Sequence, residues 1–328
     1  MALVLKKKFQ MKNAWVSLLC IVVIACNSNS ELEKKISNIP VDVTIDRFDK
    51  VFAEATFEDL SELKQTYPQF FPVQYADSIW EFRMQDTLQQ QLSDAVLTAF
   101  PSEEKLAEDL AYLFQHIKYY FPEFTVPIVY TTTSDVEYRT KAIATKNELV
   151  IALDTYLGGD HPFYEGIPKY ISKNLERSQL LPDVASAYAP RFIVTSNDRS
   201  FLSQMIYYGK ELYLKDLWLP KFSDAEKIGY TEDELMWAEA NEAQIWSYFI
   251  ENETLYSTSP KLLQRFITPA PFSKFNLEID NQSPGRIGQW VGWQIVRSYM
   301  ENNPVSLGQL MSVSPKDIYE NSNYKPQK

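Results

Sequence analysis

The sequence predicts a mainly helical α+β fold with a small β element, and three observations carry that prediction. From residue 104 to 120, Leu106, Leu110, Leu113, Phe114 and Ile117 recur at helical spacing and make one apolar stripe. Strand-like patterns are confined to residues 41–46, 126–132, 141–145 and 149–153. After these, capped helical patterns return and run through the second half of the chain, with no repeat and no long Pro/Gly/Ser linker after residue 40.

At the start of the chain, Lys6, Lys7, Lys8 and Lys12 precede an apolar run over residues 14–25. That run is too short for about 30 Å of hydrocarbon. It ends Val23-Ile24-Ala25-Cys26, which resembles a bacterial lipobox: branched residues, a small residue, then a cysteine. The expectation is a lipoprotein signal peptide over residues 1–25, then a polar tether over residues 26–40 beginning at an acylated Cys26. A single domain over residues 41–328 follows. Cys20 follows Leu19, too bulky for the cleavage position, and reads as apolar filler. Several acyl chains at roughly 0.8 kcal/mol per buried CH₂ anchor a protein durably. No Asp follows Cys26, which points toward the outer membrane and a domain facing the periplasm.

Within the domain, residues 58–67 and 79–100 read as helices ahead of the clear helix at 104–120. Lys146-Asn147 is the turn of a hairpin between the strands at 141–145 and 149–153. Asn197 or Asp198 is positioned to cap a helix running to about Asp216. Thr231 to Glu234 reads as a capping box that opens a helix reaching about Leu255. Pro284-Gly285 precedes a further helix over residues 286–300. Gly209, Gly288 and Gly292 fall inside these helices, where glycine costs about 1 kcal/mol against alanine. Their placement predicts close helix crossings rather than hinges.

Composition excludes several chemistries. Removing the four lysines of the first 25 residues takes the formal charge from −11 to −15, a surface that repels phosphate backbones, so no nucleic-acid partner is expected. The two cysteines, Cys20 and Cys26, both lie at the N-terminus, so the domain holds no thiolate metal site or disulfide. His116 and His161 are the whole imidazole supply. His161 sits in a loop, where functional residues concentrate, and is the better functional candidate of the two, although an imidazole bonded to nearby backbone is the favoured reading. His116 flanks an apolar stripe as a boundary residue. Walker, dinucleotide, Gly-x-Ser-x-Gly, His-Glu-x-x-His and EF-hand patterns are absent from the sequence.

One carboxylate stands out. Helical geometry puts Glu242 at the centre of a face formed by Leu235, Ala238, Ile245, Trp246 and Phe249. A carboxylate facing a core must be paired or hydrogen-bonded. It is either a metal ligand or catalytic acid/base, or a group bonded within the core. The residues alone favour the second, with Tyr208, Arg286 and Lys210 as candidate partners.

The lipobox, residues 156–170 (YLGGDHPFYEGIPKY), 203–210 (SQMIYYGK), 241–253 (NEAQIWSYFIENE) and 285–299 (GRIGQWVGWQIVRSY) together resemble the gliding motility lipoprotein GldB family of the Bacteroidota. The resemblance implies an envelope lipoprotein required for gliding and tied to type IX secretion, with other gliding and secretion proteins as partners. More distantly, the family is similar to zincin peptidases of the gluzincin kind, which implies a zincin-like scaffold with a degenerate active site. The five-residue slot where those enzymes carry His-Glu-x-x-His reads Gln204-Met205-Ile206-Tyr207-Tyr208 here, and Glu242 falls where a third ligand would lie. An amide and a phenol do not replace two imidazoles around zinc, and Met205 cannot activate water. The expectation is a non-catalytic structural or assembly component without cofactor, its vestigial cleft marked by Gln204, Met205, Tyr208 and Glu242. The alternatives are an active zinc hydrolase and a peptide- or glycan-binding lipoprotein with an aromatic pocket around Glu242, Tyr208 and Trp293.

Overall fold

A computed structural model describes residues 31–277 and 280–327, so the signal segment and Cys26 lie outside the described residues. The first helices are α1 (residues 31–37), α2 (Phe48–Glu54), α3 (Leu60–Thr66), α4 (Asp77–Gln85), α5 (Thr87–Ala99) and α6 (Glu104–Tyr120), with β1 (Ile45–Asp46) between α1 and α2. The strands β2 (Ile128–Thr132), β3 (Ala142–Ala144) and β4 (Glu148–Ala152) come next. Then follow α7 (Lys169–Ser172), α8 (Leu180–Tyr188), α9 (Phe201–Trp218), α10 (Asp224–Ile228), α11 (Glu232–Ala240) and α12 (Glu242–Glu251). The chain closes with α13 (Pro260–Phe266), α14 (Ile287–Asn302), α15 (Leu307–Ser312) and α16 (Pro315–Asn321). Helix dominates and the β element is small, as the sequence patterns predict, and the sheet is mixed.

The sheet runs in the order β1-β2-β4-β3. β1 pairs with β2 and β2 with β4 in parallel, while β3 and β4 form the expected antiparallel hairpin with Ile143 opposite Val150. Val129, Leu149 and Ile151 are fully buried under the helices. A separate small core of Phe48, Leu60, Leu63 and Phe71 holds α2 and α3 together, with Phe48 stacked on Phe70 at 4.2 Å.

At the centre, α9 and α14 cross backbone to backbone. A Cβ at Gly292 would stand 1.9 Å from the Met205 carbonyl oxygen, and one at Gly209 would stand 2.3 Å from the Gly292 carbonyl oxygen. Glycine is therefore required at both positions, and the predicted close crossing is present.

Several boundaries differ from the sequence expectation for local reasons. The polar stretch expected to be a tether is helical over residues 31–37, because Ile36 is buried and Glu33 meets His116 at 3.1 Å. His116 is accordingly buried rather than a boundary residue, its Nδ1 lying 2.8 Å from the Tyr112 carbonyl oxygen. Only Ile45–Asp46 of the expected first strand finds a partner. The helix expected over residues 79–100 breaks at Asp86, whose carboxylate accepts the Gln89 N–H and caps α5. The cap of α9 is Ser200, and Asp198 supports it by accepting the Ser200 N–H and hydroxyl, each at 2.8 Å. The Thr231 capping box is present, but its helix breaks at Asn241, whose side chain donates to the Trp237 carbonyl at 2.8 Å.

Candidate functional site

Within the implied peptidase slot, Met205 and Ile206 are core residues, whereas Gln204, Tyr207 and Tyr208 are half-buried. Met205 is fully buried, with its backbone against Gly292. Gln204 lines a cavity of about 360 Å³ between the start of α9 and the segment Ser312–Pro315. Lys210 lines the same cavity, with its ammonium donating to the Met311 and Val313 carbonyl oxygens at 3.2 and 2.8 Å. Burial pushes the Lys210 amine down to about 8, which leaves it mostly protonated at neutral pH. A fixed cation beside the slot opposes a dication electrostatically. The residues present do not fit a zinc centre. Among the described residues, no three His, Cys, Asp or Glu side chains gather where a metal could be held.

Glu242 is buried at the first position of α12, and its partners come from the end of the chain. Tyr324 Oη donates to one carboxylate oxygen at 2.7 Å, and the Gln327 N–H donates to the other at 3.0 Å. Burial, reinforced by the Glu242 charge, pushes the Tyr324 phenol far up. The partners named from sequence are engaged elsewhere: Lys210 with Met311 and Val313, and Arg286 with the Gly229 carbonyl at 3.0 Å. Tyr208 packs edge-on against Tyr207. Trp293 is fully buried and donates to Asp216 at 2.9 Å, so it cannot line an exposed aromatic pocket. Among the described residues, no hydrogen bond joins Glu242 to Gln204 or Tyr208, and His161 accepts the Phe163 N–H at 3.3 Å to open a short helical turn.

The chemistry-bearing groups gather one helical turn further along α9. A cleft of about 200 Å³ opens beside Glu211 and Lys215, with walls from the approach to β3, from α7 and α8, and from the segments around Gly229 and Gly285. The ammonium of Lys141 meets Asp183 and that of Lys173 meets Glu234. Lys227 is bonded to Asp216 at 3.0 Å and Asp224 at 3.3 Å. Arg297 clamps the same two carboxylates and lies 3.7 Å over Trp293, which ties α9, α10 and α14 together. Lys215 is buried and donates to the Lys227 carbonyl at 2.9 Å. Desolvation pulls its amine below the usual lysine value against the raising influence of Glu211 and Asp183. Glu211 accepts the Ser186 hydroxyl at 2.7 Å.

Backbone conformation fixes the cleft wall. Arg286 holds φ +59°, an uncommon conformation for a residue with a side chain. Tyr230 Oη donates to the Gly285 carbonyl at 2.6 Å, and a Cβ at Gly285 would stand 2.2 Å from the Ala270 oxygen. On the opposite wall, Asp135 and Val136 hold φ +57° and +58° in the loop that delivers Tyr138. The buried Asp154 carboxylate accepts the Ser134 and Val136 N–H groups at 3.0 and 2.7 Å and so imposes that loop. Sequence reading missed this cleft. The available signal was Lys215 on a helix that is otherwise largely buried, since lysines are almost never fully buried unless paired.

Compared with known proteins, residues 29–326 match the profile of the family described as gliding motility protein GldB, and the chain belongs to that family. Neither the curated proteins nor the solved structures provide a match. Membership implies involvement in gliding motility and suggests association with the cell envelope. No helix among the described residues is long and apolar enough to cross a membrane.

Proposed function

We propose that this member of the GldB family is a non-catalytic, lipid-anchored envelope component that serves the assembly or structure of the gliding apparatus and its associated type IX secretion machinery. Cys26 carries the anchor and the domain faces the periplasm, with the outer membrane favoured. Its scaffold is zincin-like, with the peptidase positions given over to packing.

The observation that supports this most is the state of Glu242. A carboxylate available as a metal ligand or general base needs free lone pairs directed at an open site. Glu242 is buried, and each of its oxygens accepts a bond from the chain's own C-terminal segment, one from Tyr324 and one from Gln327. Met205, where the implied general base would stand, is sealed against Gly292. These are packing assignments, and they support a structural role.

Two replacements in the chromosomal gene test the reading. Cys26→Ala is expected to abolish lipid labelling and to mislocalise the protein, whereas Cys20→Ala leaves both intact. Gln204→Ala, placed at the implied first ligand, is expected to leave cell spreading on agar unchanged at normal protein level. Loss of spreading by a normally abundant Gln204→Ala protein would count against a non-catalytic slot.

A further inference from the structure

We propose that the cleft beside Lys215 and Arg286 is a binding site for a singly charged oxyanion, a carboxylate, received by the Arg286 guanidinium and the Lys215 ammonium. The site is distinct from the slot at Gln204, and its existence does not depend on whether that slot is catalytic.

The charges around the cleft are unbalanced in a specific way. Lys141, Lys173, Lys215, Lys227 and Arg286 face Asp183, Glu211 and Glu234 across it. Three of the cations are neutralised within the fold: Lys141 by Asp183, Lys173 by Glu234, and Lys227 by Asp216 and Asp224. Lys215 and Arg286 form no ion pair among the described residues, and each donates one hydrogen bond, to a backbone carbonyl. The remaining carboxylate, Glu211, is bonded to Ser186 rather than to a cation. Two cations against one carboxylate leave one positive charge in a recess of an otherwise strongly acidic chain. A partly desolvated, uncompensated charge is unfavourable, and a monoanion removes it.

Geometry selects the chemistry further. A guanidinium presents five N–H donors in a planar fork that matches a carboxylate through two parallel bonds. Arg286 uses one of its nitrogens on the Gly229 oxygen, which steers the fork without exhausting it. Its left-handed backbone, the Tyr230–Gly285 bond and the tight Gly285–Ala270 contact fix its position before any ligand arrives. A volume of about 200 Å³ accepts a small organic acid or the end of a larger one. Tyr138 and Tyr170 also line the cleft and offer apolar surface to whatever carries the carboxylate.

Calorimetric titration of the full chain in neutral detergent tests the proposal, with acetate, inorganic phosphate and the neutral isostere acetamide as probes. Acetate is expected to bind saturably at one site and acetamide not at all. Arg286→Gln and Lys215→Gln should each weaken acetate at least tenfold, and Lys261→Gln, on a different helix away from the cleft, should not. Because burial has lowered the Lys215 amine, binding to the unaltered chain should weaken as pH rises toward the ordinary lysine value of 10.5. That readout needs no variant to fold. Phosphate bound at the same residues in preference to acetate would overturn the carboxylate assignment in favour of a phosphoryl ligand. Absence of saturable binding by either anion, or equal binding by the variants, would overturn the site.

Discussion

Through its first half, α9 meets α14 backbone to backbone, with Gly209 and Gly292 removing the side chains that would hold the helices apart. Through its second half, the same helix carries Glu211, Lys215 and Asp216 into charged surroundings and walls a cleft. The first half contains residues 204–208, where the sequence raised the expectation of a degenerate peptidase slot, and Met205 there is sealed against Gly292. The second half has no recognisable motif, yet it holds the groups capable of receiving a ligand. A likeness read from sequence directs attention to one stretch of this helix, whereas the balance of buried charge directs it to another.

The comparison breaks most readily at the crossing. Gly292→Ala puts a methyl 1.9 Å from the Met205 carbonyl oxygen, a clash with backbone that no rotamer relieves. The expected destabilisation is more than about 3 kcal/mol, with Gly308→Ala, which meets nothing within 4 Å, as the neutral partner in chemical unfolding. Equal stabilities would mean that the helices are not held at this distance.

Lys210 sharpens the comparison, since it is a buried cation directly after Gly209, at the boundary between the two halves. Its amine is pushed down to about 8 in the folded chain and returns to 10.5 on unfolding. Between those values the unfolded chain binds more protons, so stability rises with pH across that window and the full penalty persists below it. The contribution is on the order of 3 kcal/mol. Lys210→Met is expected to flatten the rise between pH 8 and 10.5 in unfolding experiments. An unchanged slope would place the ammonium in contact with water.

Smaller effects are expected at the C-terminal cover. Glu242→Ala leaves the Tyr324 hydroxyl and the Gln327 N–H without their acceptor and should destabilise by about 2 kcal/mol. Tyr324→Phe removes one of those bonds and should destabilise by about 1 kcal/mol, both read by thermal unfolding. An Ala variant no worse than the Phe variant would show that the Gln327 bond contributes nothing.

The fold was legible wherever a local pattern decides it. The stripe of α6, the β3–β4 hairpin, the Thr231 capping box and the glycines of the crossing all follow from residues within a few positions of one another. Helix breaks at Asp86 and Asn241 were not legible, because apolar periodicity continues across them while a side chain captures the backbone. The parallel pairing of β2 with β1 and β4 was hidden too, since parallel neighbours carry no turn signal between them. Glu242 could be recognised as inward-facing from its helix alone. Its partners, 82 and 85 residues away, could not. The cleft was least visible of all, because its cations come from β3's approach, α7, α9, α10 and the start of α14, and meet only after folding.

The most direct test of a structural rather than catalytic role is the isosteric replacement Glu242→Gln in the chromosomal gene, with protein abundance and cell spreading on agar measured together. Glutamine keeps the shape and an acceptor oxygen for Tyr324 while removing the charge that metal binding or acid/base chemistry requires. Normal abundance with normal gliding is the predicted result. Normal abundance in cells that no longer glide would contradict it.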